Sequence, residues 1–344
     1  MKKKIVLDLF CGCGGLSYGF SQAGYDIRYG IDHCCNALKT YQYNHPNAKT
    51  ILADLELESV SQIIKSNKIS KIDIIIGGPP CQGYSLAGKR NINDERNLLY
   101  KSFLKFVDQL KPATFLIENV PNILSIGNGT VKQNIIKDFL EIGYFVSHKT
   151  LLASDFGVPQ NRKRAFFIGF NKAVNFEFPT KNNQDKITTR EAISDLPEFS
   201  IEDGSKYLRD AESKYQLMMR NNQKFLYNHQ ITNHQKKTVD IISLVPDGGN
   251  YKNLPEELQN TRNVNIAWTR LKSDQPSYTI DTGHRHHFHY QFNRVPTVRE
   301  SARIQSFPDN FIFFGSKTSQ YQQVGNAVPP LLSEALADQI KAYL

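Results

Sequence analysis

The chain is short of cysteine, of acidic residues and of long apolar runs, and each shortage removes a class of protein. Its five cysteines, Cys11, Cys13, Cys34, Cys35 and Cys81, fall in the first quarter of 344 residues. An odd, clustered set is no disulfide framework. The first pair is split by one residue and the second is adjacent, whereas structural zinc sites space their ligands by about two to four residues. Free thiols and no metal are expected. No run of about 18 apolar residues occurs, so a membrane span is not expected. Met1-Lys2-Lys3-Lys4 imitates the start of a signal peptide, but Asp8 interrupts the apolar segment and Gly12, Gly14 and Gly15 end it. A cytoplasmic protein is the expectation. Asp and Glu number 33 against 42 Lys and Arg, a net charge of +9 that favours polyanionic partners but equally suits an ordinary basic protein.

What is present is an ordinary globular composition, 40% hydrophobic, in a chain long enough for a sizeable core and two domains. Lys4 to Phe10 reads as a buried strand and breaks into Cys11-Gly12-Cys13-Gly14-Gly15 before a helical stretch from Leu16 to Ala23. Strand, glycine turn and helix in that order form a nucleotide-cofactor arrangement. Further strands are expected at Ile27 to Ile31, ending on Asp32, and at Thr50 to Ala53, ending on Asp54. The fourth, Ile72 to Ile76, and the fifth, Thr114 to Ile117, end on the Cys81 turn and on Glu118-Asn119. Open α/β sheets bind ligands at the carboxyl ends of their strands, so Phe10, Asp32, Asp54, Cys81 and Glu118 should face one crevice. Leu99, Phe103, Phe106 and Leu110 mark the buried face of a helix.

The glycine turn lacks one residue. A dinucleotide fingerprint would place a third glycine where Ser17 stands, which disfavours a nicotinamide oxidoreductase. With Asp32 and Asp54 at the next strand ends, the turn instead suits an adenosyl cofactor without a pyrophosphate. The other singular stretch is Gly77-Gly78-Pro79-Pro80-Cys81-Gln82, in which two prolines stiffen the turn and two glycines permit close approach. A lone thiol there is either a small buried hydrophobe or a nucleophile on a rigid mount. Residues 175 to 265 are polar and turn-rich, and read as a second domain of short strands and loops. Helices are expected from Val298 to Gln305 and from Leu331 onward.

Taken in order, DLFCGCGG, GGPPCQGYS, ENV, QNRKR, RESARIQSFPD and GNAVPP resemble the ordered motifs of the cytosine-C5 DNA methyltransferases. The resemblance covers both ends of the chain and excludes most of residues 175 to 295. It implies a Rossmann-like, S-adenosylmethionine-dependent methyltransferase sheet with helices on both faces, and a smaller irregular target-recognition domain. Residues 1–188, completed by 322–344, would form the catalytic domain, 189–295 the recognition domain and 296–321 a hinge.

The chemistry explains why such motifs are needed. Cytosine C5 is too weak a nucleophile to attack a sulfonium methyl. A thiolate added to C6 makes C5 enamine-like, and cysteine suits this because its thiolate is intrinsically nucleophilic. The resemblance assigns that role to Cys81. It assigns Glu118 to a proton shared with cytosine N3, Arg164 to cytosine O2 and to orienting Glu118, and Arg162 to supporting it or reaching a phosphate. On an extended segment Arg162 and Arg164 would point to one side; a solvated basic run is the plainer reading. For the donor it implies Phe10 on adenine, Asp32 on ribose, Asp54 on the adenine amino group and Asn326 completing the pocket, with Gly12, Gly14, Gly15, His33, Leu55, Pro80 and Leu99 around it. S-adenosylhomocysteine would be the product and no metal is implied.

Gly83 to Asn91 has the composition of a lid, whose Ser85, Lys89 and Arg90 would hold phosphates over a flipped base. Arg220, Asn221, Asn222, Gln223, Asn228, His229, Gln230, Asn233, His234 and Gln235 are able to read base edges, and Arg285 in the 284–289 histidine cluster would face DNA. Departures from the family pattern are Cys11 for alanine, Asp32 for glutamate and Asn97 for glycine. A transfer-RNA methyltransferase shares the core motifs but lacks a polar insert of about 100 residues, an ordinary domain length. A non-catalytic DNA-binding protein would not need Cys81, Glu118 and both arginines. Double-stranded DNA is therefore the expected substrate of a monomeric enzyme, paired by resemblance with a restriction endonuclease.

Overall fold

The structure is a computed structural model that describes residues 3–80, 99–182, 184–259, 268–282 and 287–344. It divides into two compact units, the first of residues 1–152, 163–181 and 330–344, the second of 153–162 and 182–329.

The first unit is built on seven strands: β1 Ile5–Leu9, β2 Asp26–Asp32, β3 Lys49–Leu52, β4 Ile74–Gly77, β5 Thr114–Asn119, β6 Phe145–Leu152 and β7 Lys163–Phe170. Their order is β3-β2-β1-β4-β5-β7-β6. The first five pair in parallel, and β7 is antiparallel to both β5 and β6. Helices α1 Gly15–Gln22, α2 Cys35–Asn44, α3 Val60–Asn67, α4 Leu99–Leu110 and α5 Thr130–Glu141 connect them.

Alternation along β1 sorts the helices between the two faces. Leu7 and Leu9 share one core with Val60 and Ile63 of α3, Phe103 and Phe106 of α4, and Ile135 and Phe139 of α5. Asp8, between the two leucines, instead meets Ser17 of α1. The C-terminal helix Pro330–Lys341 packs on α1, where a Cβ at Gly19 would stand 2.4 Å from that of Ser333, so the two helices touch backbone to backbone. Ser333 Oγ donates to Leu16 O at 2.6 Å, and Tyr25 Oη to Ala337 O at 2.9 Å.

The five expected strands are present, and Glu118 and Asn119 lie inside β5 rather than beyond it. The sequence reading missed β6 and β7. The signal was there: Ala165-Phe166-Phe167-Ile168 is a continuous apolar run, as a strand covered on both faces requires.

The second unit departs from the expected strands and loops. Its only pairings among the described residues are two two-stranded sheets, Ser205–Lys206 with Phe225–Leu226 and Thr269–Arg270 with His287–Phe288, and an isolated bridge from Gln160 to Ser277. Short helices do more of the work. Lys214–Arg220 is started by a reciprocal cap between Ser213 and Gln216, and Val298–Ile304 by the same device between Thr297 and Glu300. The second of these was expected from its sequence; the polar segment hides the first because its signal is in the cap, with few apolar residues to show a period.

Candidate active site

The carboxyl ends of β1 to β5 lead to Phe10, Asp32, Asp54, Pro80 and Glu118, predicted residues of the first unit. After Leu9 the backbone turns through Phe10 at φ 56°, Gly12 at 53° and Gly14 at 95°. A non-glycine residue in that region is uncommon, and here it leaves the half-buried Phe10 ring at the mouth of the turn. Asp32 closes β2 and ties the turn to it. Its Oδ2 accepts from Gly12 N and its Oδ1 from Cys34 N, both at 2.8 Å. A Cβ at Gly12 would meet nothing within 4 Å, so this stretch of backbone is open to a ligand.

Asp54, two residues past β3, accepts from Glu56 N at 2.9 Å. His33 is exposed, with Nδ1 3.6 Å from Asp32 Oδ1. Leu55 is buried and accepts from Ser102 Oγ through its carbonyl, while Pro80 and Leu99 are half-buried.

Around β4 the glycines have identifiable reasons. A Cβ at Gly77 would lie 2.2 Å from Leu9 O, and one at Gly78 would lie 3.1 Å from Glu118 Oε2. Only glycine lets the strand end and the Glu118 carboxylate come this close. Asn119, to which the sequence reading assigned no role, donates from Nδ2 to Pro79 O at 2.9 Å and so fastens the proline turn to β5. Cys81 itself, with Ser85, Lys89, Arg90 and Arg285, lies outside the described residues.

Glu118 is paired. Arg164, one residue into β7, places Nε 2.9 Å from Glu118 Oε1, with both side chains mostly buried. The β5–β7 register sets Glu118 opposite Phe166, and Arg164 lies two residues along the same face, within reach of a long side chain. Arg164 Nη1 also donates to Lys163 O at 2.7 Å.

Arg162 belongs to the second unit, is 1% exposed and donates from Nη2 to Gly325 O at 2.9 Å. A guanidinium buried in this way does not reach for a phosphate. Gly325 has no room for a side chain, because a Cβ would sit 2.2 Å from Asp281 O. Asn326, exposed, ends the helix Lys317–Asn326.

The proposed base readers need correction too. Arg220 is committed inside the second unit: Nη2 donates to Asp195 Oδ2 at 2.6 Å and to Arg209 O at 2.7 Å, and its guanidinium carbon stands 4.1 Å from the centre of the Tyr207 ring. His229 is fully buried between Pro197 O and Thr297 Oγ1, and Asn228 bonds the backbone of Phe313. Polarity made these residues look like readers; burial makes them ties. Asn221, Asn222 and Gln230 remain exposed.

Asp8 was read only as an interruption of an apolar run. It is buried below the glycine turn, and burial pushes its carboxyl up to about 8, with the Ser17 hydrogen bond opposing and the Asp32 charge assisting. Burial likewise pushes the Cys13 thiol up to about 12 and the His45 imidazole down to about 4.

The whole chain has relatives with this geometry. A family model described as C-5 cytosine-specific DNA methylase matches residues 5–342. Type II methyltransferase M1.HphI of Haemophilus parahaemolyticus is 36% identical over 97% of this chain and 86% of its own length. Type II methyltransferase M.DdeI of Desulfomicrobium norvegicum is 38% identical over 98% of this chain and 88% of its own. A crystal structure from E. coli, described as a prophage-encoded DNA modification methyltransferase, superposes with a TM-score of 0.81 at 27% identity, covering 99% of both chains. The family match runs from the first strand to the last helix, and the chain belongs to the C-5 cytosine-specific DNA methylases.

Proposed function

We propose that this chain is the modification enzyme of a restriction-modification pair, a DNA (cytosine-5-)-methyltransferase of class EC 2.1.1.37 that protects its host's DNA from a cognate endonuclease. The observation that carries the reading is the Glu118–Arg164 pair, 2.9 Å apart, beside the Gly78-Pro79 turn that leads to Cys81.

The residues at the first turn fit an S-adenosyl group. Gly12 leaves its backbone open, Phe10 offers a half-buried ring, and each Asp32 oxygen, accepting one backbone N–H, keeps a lone pair for a ribose hydroxyl. Gly14, Gly15, His33, Asp54, Leu55, Pro80, Leu99 and Asn326 complete the assignment. S-adenosylmethionine, when bound, supplies the electrophilic methyl group and leaves as S-adenosylhomocysteine.

The chain's own residues act on the pyrimidine, taken out of the stack because C5 and C6 are inaccessible within a duplex. The Cys81 thiolate adds to C6 and the ring's electrons move toward N3, where Glu118 shares a proton. Arg164 holds that carboxyl in place and meets O2. Once C5 carries the methyl group, its proton passes to water, the C5–H electrons form the C5–C6 double bond and the C6–S bond breaks to release the thiolate. Arg162 would have the supporting role that the resemblance implies, its burial against Gly325 O speaking against a phosphate contact. Residues 189–295 would choose the DNA sequence, with 1–188 and 322–344 catalytic and 296–321 between them. Ser85, Lys89, Arg90 and Arg285 would hold the backbone. No helix among the described residues is long and apolar enough to cross a membrane. The enzyme works on DNA in the cytoplasm, as a monomer.

The test is transfer of labelled methyl from S-adenosylmethionine to unmethylated DNA, with transfer RNA as the control and Cys81→Ser as the negative. Labelled DNA, unlabelled RNA and loss of activity in Cys81→Ser are the expected results. Labelled RNA with unlabelled DNA would reverse the substrate, and full activity in Cys81→Ser would remove the covalent step. DNA carrying 5-fluorocytosine should trap a denaturation-resistant adduct, because fluorine cannot leave C5 as a proton does. Bisulfite mapping of exposed DNA then reads out the recognition sequence.

A further inference from the structure

The glycine turn is shaped from inside by a hydrogen-bonded chain that the reaction as described does not use. Ser17, where a dinucleotide fold would carry glycine, is fully buried on α1. Its Oγ donates to Asp8 Oδ2 at 2.7 Å and lies 2.8 Å from Tyr41 Oη. With the Ser17 proton directed to Asp8, the phenol donates to Ser17, so the chain runs Tyr41, Ser17, Asp8. All three side chains are at most 1% exposed, and none can touch a ligand bound at the surface of the turn.

Tyr41 is the hub. A Cβ at Gly14 would stand 2.9 Å from its ring and one at Gly30 would stand 2.6 Å from it, so the ring lies against the turn and against β2. His45 lies against it with its ring tilted by 47°, ring centres 4.6 Å apart, and Nε2 3.2 Å from Gly14 O. A neutral imidazole donates there. Tyr41 itself is on α2, which begins just after Asp32. One side chain thus fixes α1, α2, β2 and the turn relative to one another. Asp8 Oδ1 accepts no hydrogen bond among the described residues, an arrangement that suits a neutral carboxyl better than a carboxylate.

We propose that Tyr41, Ser17 and Asp8 are positioning residues for the methyl-donor site, setting the shape of the glycine turn and with it the affinity for S-adenosyl ligands. This rests on the assignment of the donor to that turn. Removing either hydroxyl cuts the same chain at a different link, so the two losses should not add. Asparagine at position 8 keeps an acceptor for Ser17 and the shape of a neutral acid.

The experiment uses the full chain and S-adenosylhomocysteine in titration calorimetry, beside steady-state kinetics and the thermal midpoint of the free protein. Tyr41→Phe, which keeps the ring on Gly14 and Gly30, and Ser17→Ala should each weaken S-adenosylhomocysteine binding about tenfold, and the double variant little further. The KM for S-adenosylmethionine should rise in step while kcat and the KM for DNA stay within about twofold, the split expected when only donor binding is lost. Asp8→Asn should bind within about twofold of the wild type, since the chain is preserved. Unchanged affinity in Tyr41→Phe overturns the inference, even if Ser17→Ala fails to fold. So does a loss spread equally over both KM values, or fully additive losses. A wild type that binds no S-adenosylhomocysteine, or an Asp32→Ala variant that binds it as tightly as the wild type, would instead overturn the placement of the donor at this turn.

Discussion

Both compact units pair carboxylates with arginines, and they leave those pairs in opposite states. Glu300, in the second unit, is gripped by Arg294 through both oxygens at 2.8 Å and capped by Thr297 N at 2.7 Å. Asp309 accepts from Arg303 Nε at 2.9 Å and Nη2 at 2.7 Å, and from Tyr207. Burial alone would raise both acids, but the arginines hold them below their ordinary values. Glu118, in the first unit, has one oxygen on Arg164, while Oε2 lies beside Gly78 and takes no hydrogen bond among the described residues. A carboxylate with both oxygens engaged holds shape. One with an oxygen to spare is placed for chemistry.

The harshest break of this contrast is Arg303→Met, which leaves Asp195 and Asp309 buried without their shared cation. Removing one partner of a buried pair costs about 3 to 5 kcal/mol, to be read as a fall in the urea midpoint or loss of folded protein. Glu118→Gln should do the reverse. Methyl transfer should fall by about 100-fold or more, while the unfolding midpoint moves by less than about 1 kcal/mol. A stable, active Arg303→Met or an unstable Glu118→Gln would erase the distinction.

Acidity sharpens it. The Asp8 carboxyl lies near 8 when folded against 3.8 ordinarily, so its contribution is complete below 3.8 and is lost as pH rises through 8. His289 of the second unit is pushed by burial from 6.5 to about 3, against the pull of Glu300, so its contribution is complete above 6.5 and is lost as pH falls toward 3. His45, in the first unit, behaves like His289, with a folded value near 4. Between pH 6.5 and 8 only Asp8 of these three still changes stability. Asp8→Asn should remove a decline of about 1 kcal/mol per pH unit there, measured by urea unfolding at each pH. A wild type with no decline over that range would contradict a protonated Asp8. The smallest effect is expected at Lys236 and Asp240, 3.0 Å apart but 88% and 58% exposed, where Lys236→Ala should change stability by under about 0.5 kcal/mol.

The legible parts share a physical character. β1 to β5 announced themselves because each carries several of Ile, Leu, Val and aromatic residues in a short stretch followed by a turn or a polar residue. The capped helix Lys214–Arg220 of the second unit did not, because Ser213 and Gln216 carry the signal and few apolar residues follow. Arg164 and Glu118 were legible through resemblance, whereas polarity made Arg220 look available for DNA when it is held by Asp195 and Arg209 O. Charge in a sequence says that a group must be solvated or paired; it does not say which.

The sequence by itself determined strands β1 to β5, the two glycine-bearing turns and the family, because these are local patterns or ordered motifs. Tertiary structure alone decided that Asn119 fastens the proline turn and that Tyr41 and Ser17 close on Asp8. Each of these joins residues on separate strands or helices. Which of many possible partners a polar side chain takes is settled by sheet order and burial, and neither is written in the residue itself.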